Sequence, residues 1–391
     1  MLAKGAYLPD ICKYDVLSIT PVKISRIETI PVSVPIRTAV AISSSLGSHL
    51  FSPFLMVRVH TDEGLTGLGE VSCTALWSGE DHATAARLIG EYLEPALVGQ
   101  NPLDIEADVR IMRRTLANNP FTKAGVELAL WDLLGKASGL PLYRLLGGMV
   151  REVVPLKFSI SGASPNRAAE LARWAVNQGF RTMKVKVAVG NEDLQRVQAV
   201  RDVIGTEIRL GVDANGGWSV REAIYSLRQM APYNIYFAEQ PVAPLDLAWM
   251  AEVRRQSELP VIADESLYSL QDAMALARLS AADIFSIYIG KSGLTGARKI
   301  AAVAEAAGLA CTIGSNMELG VATAAMIHLA LSTPAIDAET VPCDILSHLF
   351  YDTNLLTEPL PVSGAEARAP QKPGLGVELD EESLRRYRVD I

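Results

Sequence analysis

Residues 181–190 read RTMKVKVAVG, and the reading of this stretch decides the fold. It has the composition of a buried strand, apolar apart from two lysines at alternate positions. Side chains alternate faces along a strand, so Thr182, Lys184 and Lys186 share one face and Met183, Val185 and Val187 the other. If the lysine face meets water, the pattern is ordinary. If it faces the middle of a barrel, carboxylates close by must meet the cost of desolvating two ammonium groups.

The sequence that follows favours the barrel. Strand-like stretches recur at 154–160 (VPLKFSI), 181–187, 208–215 (IRLGVDAN), 235–241 (IYFAEQP), 259–266 (LPVIADES), 283–290 (DIFSIYIG), 309–315 (LACTIGS) and 335–340 (AIDAET). Amphipathic helical stretches such as PNRAAELARWAVNQG (165–179) and GARKIAAVAEAAG (296–308) lie between them. Eight strand–helix units, repeating at roughly 22 to 28 residues, predict a closed (β/α)₈-type barrel over 151–355. On the other side, SRIETIPVSVPI (25–36) alternates, and FLMVRVHTDEGLTGLGEV (54–71) reads as two strands around a glycine turn. Between them SSSLGSHLF (43–51) is a polar loop, and helical periodicity fills 82–139. Strands first and helices after predict a separate α+β capping domain over 1–150. The tail, 356–391, fits no further unit and is expected to pack back on that domain.

Bulk properties narrow the class. The 391 residues suit one large α/β barrel with an accessory domain. Hydrophobic content of 49% and mean hydropathy of +0.20 describe a globular chain with a large core. A net charge of −8 and a pI near 5.3 argue against nucleic acid or an anionic membrane as partner, though not against an acidic small molecule. Cys12, Cys73, Cys311 and Cys343 form no metal or disulfide pattern; reduced thiols in a cytoplasmic protein are expected. The N-terminus lacks the apolar segment of a signal peptide. The uncharged run from Leu319 to Ile336 contains Gly320, His328 and Pro334 and reads as a buried helix, not a membrane span.

Active sites of such barrels sit at the C-terminal strand ends. Those ends carry Lys184 and Lys186, Asp213 in VDAN, Glu239 in AEQP, Asp264 in ADES and Tyr288 in SIYIGKSG. The steps from Lys186 to Tyr288 are 27, 26, 25 and 24 residues, about one βα unit each, so successive strands deliver the side chains at similar height. Three carboxylates at one mouth repel unless a cation lies between them. A set of hard oxygen donors without His or Cys selects Mg²⁺, with Mn²⁺ as the alternative. The lysines are then tolerable inside, compensated by the carboxylates and a bound anion. Side by side they disfavour each other's protonation, so one can serve as a general base.

With the Lys-Val-Lys, DAN, EQP and ADES segments in place, the chain resembles the enolase superfamily, in its muconate lactonizing enzyme and mandelate racemase branch. GLTGLGE, ELALWDLLGKASGLPLYRLLGG and PGLGVELD extend the likeness over nearly the whole chain. The resemblance implies proton transfer at the carbon α to a metal-bound carboxylate. It implies Asp213, Glu239 and Asp264 as metal ligands, Lys186 as acid/base and Lys184 as its pKa-lowering neighbour. Asn215, Lys291, Glu318, Ser43, His49 and Trp77 complete the expected substrate-binding set, with Ser44 in the same cap loop.

The chain departs from the pattern at strand six. The lactonizing subgroup carries a lysine there, opposite the Lys-x-Lys pair; this chain has Tyr288, with Lys291 nearby. The racemase subgroup's His after strand seven is absent from TIGSNMELG. His82 is expected in a cap loop and His328 in helix packing. A site with one base suits lactonization or β-elimination, and muconate-type cycloisomerisation is the first reading. Dehydration, cycloisomerisation or epimerisation of a sugar acid or hydroxylated amino acid is the second, with Tyr288 as a further catalyst. A Mg²⁺-binding barrel without activity is the third. The expected partner is a small carboxylate, and the expected assembly a homo-oligomer.

Overall fold

The computed structural model describes residues 22–48 and 50–391. The first unit is an antiparallel sheet of β1 (Ile24–Pro35), β2 (Phe51–Thr61) and β3 (Thr66–Ser72), with β2 in the centre. The helices that follow include α1 (Ala75–Ser78), α2 (His82–Leu88), α3 (Ile105–Thr115) and α4 (Pro120–Ser138). The last two glycines of GLTGLGE, Gly67 and Gly69, have a packing reason. A Cβ on Gly69 would stand 1.9 Å from the Gly125 carbonyl oxygen, so only glycine lets α4 lie this close to β3.

The second unit alternates strand and helix. Its strands are β4 (Phe158–Ile160), β5 (Thr182–Lys186), β6 (Arg209–Asp213), β7 (Ile235–Glu239), β8 (Val261–Ala263), β9 (Ile284–Ile287) and β10 (Ala310–Ile313). They pair in sequence order as a seven-stranded parallel sheet. Helices α5 (Pro165–Asn177), α6 (Asp193–Ile204), α7 (Val220–Met230), α8 (Leu247–Gln256), α9 (Leu270–Arg278), α10 (Ile289–Ala306) and α11 (Gly320–Ser332) connect or follow them.

The eighth expected strand, 335–340, does not form. Asp337 accepts backbone bonds from Val341 N at 2.9 Å (carbonyl) and Thr340 N at 3.2 Å (carboxylate), which turns the chain, and Pro342 has no N–H to give. The gap between β10 and β4 is bridged instead by two isolated parallel pairings, Cys311 with Ile336 and Leu156 with Cys343. The fold is therefore a modified barrel, closed on its last side by an irregular segment. That segment carries Asp344, whose N–H bonds to the Ile313 carbonyl at 2.9 Å.

The run after Leu319 is the core helix α11, buried along its whole length. Among the described residues no helix is long and apolar enough to cross a membrane. Cys73, Cys311 and Cys343 are buried free thiols, and Cys12 lies outside the described residues. The C-terminal helix α12 (Glu381–Tyr387) is followed by an antiparallel bridge from Arg388 to Val32, which sets the end of the tail against β1, whereas Glu366 and Ala367 of the same tail pair with Pro155 and Val154 at the start of the barrel.

Candidate active site

Strand register brings the site together. Lys186 pairs with Asp213, and Asp213 with Glu239, across β5, β6 and β7. Met183 and Val185 are fully buried on the opposite face of β5 from the lysines. The lysines face the barrel interior, and carboxylates do receive them. Lys186 Nζ lies 2.7 Å from Asp213 Oδ2 and donates to Asn215 Oδ1 at 2.7 Å. Lys184 Nζ lies 2.7 Å from Glu239 Oε1 and 3.1 Å from both Asp213 Oδ2 and Asp344 Oδ2. Burial works against the Lys184 ammonium, but Asp344, Glu239 and Asp213 outweigh it and hold its pKa well above the ordinary lysine value. Its charge is thus matched by three carboxylates, of which the sequence reading had expected Asp213 and Glu239 but not Asp344.

The carboxylates differ from one another. Burial opposes ionisation of Asp213, yet Lys186 and Lys184 keep it well below the usual range. Glu239 is pushed up to about 7, by burial first, with Lys184 pulling it down and Asp213 pushing it up. Glu265, beside Asp264, is pushed up to about 8 by burial and by the charges of Asp264 and Asp213. Asp264 accepts from Lys291 Nζ at 2.7 Å and from the Tyr288 phenol at 2.6 Å. Burial, then the charge of Asp264, raises the Tyr288 pKa well above the ordinary phenol, so it is a neutral donor.

Among the described residues no three His, Cys, Asp or Glu side chains are arranged to hold a metal ion as they stand. Lys184 bridges Asp213 and Glu239, and Lys291 pairs with Asp264. The donor chemistry nevertheless fits a hard cation. All three side chains are buried carboxylates, and Glu239 Oε2 is buried with no hydrogen-bond partner.

Backbone strain gathers at the same rim. Ala188, Asn215, Gln240 and Met317 have φ of 59°, 44°, 35° and 60°, each just beyond a strand end. Gln240, the middle residue of EQP, accepts from Asp264 N at 3.0 Å and Ser266 N at 3.1 Å, and so locks the Asp264 loop.

Above the strand ends lies a cleft of about 280 Å³, roofed by the capping unit. Lys184, Lys186, Asn215 and Tyr288 line it, with Trp77, Ser44 and Asp344. Trp77 stacks on Tyr288 (centroids 5.2 Å apart, planes within 8°) and donates to Glu265 Oε1 at 3.2 Å. The close fit of Tyr288 depends on Gly314, where a Cβ would stand 1.6 Å from the ring.

Other expected site residues have different places. Lys291 is buried under the Tyr288 ring, 4.0 Å from its centroid, and does not line the cleft. Glu318 holds its own loop, accepting from Ser315 Oγ and Asn316 N. Ser43 meets the barrel through its backbone, with Ser161 and Gly162, and its neighbour Ser44 lines the cleft. His49 lies outside the described residues. His82 begins α2 away from the cleft lining, and His328 is buried in packing between Tyr143 N and the Leu375 carbonyl. The sequence reading missed Asp344 and Lys157. Lys157, fully buried, lies 3.1 Å from Asp344 Oδ2 and donates to the Pro342 carbonyl at 2.8 Å. A lysine inside the apolar stretch VPLKFSI was the available signal for it.

A modified β/α barrel under an α+β cap, with lysines and carboxylates at the strand ends, defines a class of enzyme folds, and comparison narrows it. Residues 26–147 match the mandelate racemase / muconate lactonizing enzyme N-terminal domain, and residues 166–383 the enolase C-terminal domain-like family. N-succinyl-L-Arg/Lys racemase of Bacillus cereus is 33% identical over 94% of this chain and 98% of its own. Muconate cycloisomerase 1 of Rhodococcus opacus is 31% identical over 94% of this chain and 99% of its own. The structure of a dipeptide epimerase from Cytophaga hutchinsonii, complexed with Mg and D-Ala-L-Val, superposes with a TM-score of 0.88 at 30% identity, covering 94% and 99% of the two chains. The chain belongs to the mandelate racemase and muconate lactonizing enzyme branch of the enolase superfamily. Its relatives include isomerases of more than one type.

Proposed function

We propose that this chain is a Mg²⁺-dependent enzyme in which one lysine, Lys186, moves the proton at the carbon α to a carboxylate. The reaction is a β-elimination or its reverse, the intramolecular addition of a muconate-type cycloisomerase. The observation that carries this reading is Tyr288. Where a second lysine would serve the opposite face of the substrate, the chain has a phenol that is kept protonated and donates to Asp264.

Asp213, Glu239 and Asp264 would hold the cation, which when bound supplies the positive charge that lets a substrate carboxylate accept a second negative charge. The lysines do the rest. In elimination, the Lys186 Nζ lone pair takes the α-hydrogen, and the C–H electrons become the new Cα–Cβ π bond as the β-oxygen leaves with its bonding pair. The same ammonium returns the proton to that oxygen on the same face. In the reverse direction the oxygen adds at Cβ and Lys186 protonates Cα. Lys186 is the better placed of the pair, because Lys184 is tied to three carboxylates.

A two-face proton transfer, as in a racemase or epimerase, is the second reading. The racemase and epimerase relatives favour it, and it requires Tyr288 to act as the second acid and base. A barrel that binds Mg²⁺ without chemistry is disfavoured by a lysine that lines an open cleft.

Lys186→Ala and Lys184→Ala test the assignment on any carboxylate the protein turns over with Mg²⁺. Loss of the acid/base should lower turnover ~10²–10⁴-fold. It should also end solvent-deuterium entry at Cα in the Lys186 variant. Undiminished exchange in that variant removes Lys186 from the mechanism.

A further inference from the structure

We infer that the substrate is a monocarboxylate whose remote end is apolar, an assignment that rests on the metal and lysine site given above and favours its β-elimination branch over the cyclisation of a dicarboxylate such as muconate. The cleft is polarised along its length. Among the described residues that line it, the only charged ones are Lys184, Lys186 and Asp344, all at the strand-end floor. Away from the floor the large side chains are Ile42, Leu46, Phe51, Leu76, Met317 and Phe350, with only the small uncharged polar groups of Ser44, Thr74, Ser315 and Asn316 among them. No described side chain there carries the positive charge that a second carboxylate would need, and Asp344 at the floor repels one. The lip shows the same preference. Leu76 is 77% exposed and Phe51 60% exposed at the opening of the cleft. Large apolar side chains left in water at the mouth of a cleft gain most from a ligand that covers them. The occupant that reaches both ends is one molecule: its carboxylate at the metal and lysine floor, its hydrocarbon part against the cap.

The test is calorimetric titration of the full chain with butanoate, octanoate and octanedioate, with and without Mg²⁺. Each buried methylene strengthens binding about fourfold. Octanoate should therefore bind at least ~10-fold tighter than butanoate. Octanedioate, of equal length, should bind at least ~10-fold weaker than octanoate. Leu76→Arg, at an exposed position that does not threaten folding, should shift preference toward octanedioate. Mg²⁺-dependent binding with no gain from butanoate to octanoate, or with octanedioate as tight as octanoate, overturns the apolar assignment and leaves the metal and lysine site standing. A preference for octanoate that ignores both Mg²⁺ and Asp213→Asn supports the apolar cleft and overturns the site reading beneath it. Absence of binding by all three overturns both.

Discussion

Tyr288 concentrates the residue-scale chemistry. Its ring fills the space that Gly314 leaves, Trp77 covers it from the cap, Lys291 lies beneath it, and its hydroxyl ends on Asp264. A group that orients a metal ligand typically matters ~10–100-fold in metal affinity or activity. Tyr288→Phe should therefore weaken Mg²⁺ or Mn²⁺ binding by that order, measured by calorimetry, with little change in fold. Unchanged metal affinity makes the hydroxyl a space filler. The residues that even spacing could reveal were legible: Lys186, Asp213, Glu239 and Asp264 recur at near-equal steps and meet at one mouth. Asp344 was not legible, because it follows an irregular segment with no periodic partner. Only the folded chain shows that it joins Lys157 to Lys184. Gln240 was hidden differently, since its work is to hold backbone N–H groups of the next strand end.

Elements were legible where a repeat was strong and failed where local chemistry overrode it. Seven barrel strands fall inside the stretches read from the sequence, and the eighth is broken by the Asp337 turn and Pro342. The buried helix α11 illustrates what a hydrophobic run conceals. His328 sits fully buried in it, its Nδ1 accepting from Tyr143 N at 3.3 Å and its Nε2 donating to the Leu375 carbonyl at 3.1 Å. Burial pulls its pKa down to about 4, against a smaller upward pull from the Leu375 carbonyl. The folded state thus keeps the ring neutral, while the unfolded chain takes a proton below about 6.5. This contribution is full above pH 6.5 and is lost as pH falls toward 4, about 3 kcal/mol in all. Glu70, pushed up to about 7 by burial, tilts stability the other way, so the net slope alone decides nothing. His328→Gln keeps a donor and an acceptor but cannot titrate. Urea unfolding at pH 6.5 and pH 4 should show the wild type losing more stability than the variant by that amount. Equal losses would mean that the ring is not kept neutral.

At the scale of the whole molecule, the cap and the barrel share one site. Trp77 reaches Glu265, Thr74 Oγ1 meets Asn316, and Glu70 accepts from Leu319 N and Ala322 N at the start of α11. A cation held between strand ends stabilises the folded state by mass action, about 2.7 kcal/mol at 100 times its Kd. Mg²⁺ should raise the unfolding midpoint of the wild type and leave that of an Asp213→Asn, Glu239→Gln variant unmoved. An equal rise in both would place the ion elsewhere. The change from strand-then-helix order to regular strand–helix alternation was legible because each pattern repeats over many residues. The cleft was not, because its walls come from loops distant in sequence whose meeting depends on the fold. The central claim is that one lysine works on one face of the substrate. Its most direct test is turnover in D₂O with Mg²⁺, followed by NMR assignment of the configuration at the deuterated α-carbon of the addition product, or of the substrate recovered from partial elimination. A single deuterium on one face, absent in Lys186→Ala and retained in Tyr288→Phe, is the result this account requires; deuterium entering both faces, with one face silenced by Tyr288→Phe, would contradict it.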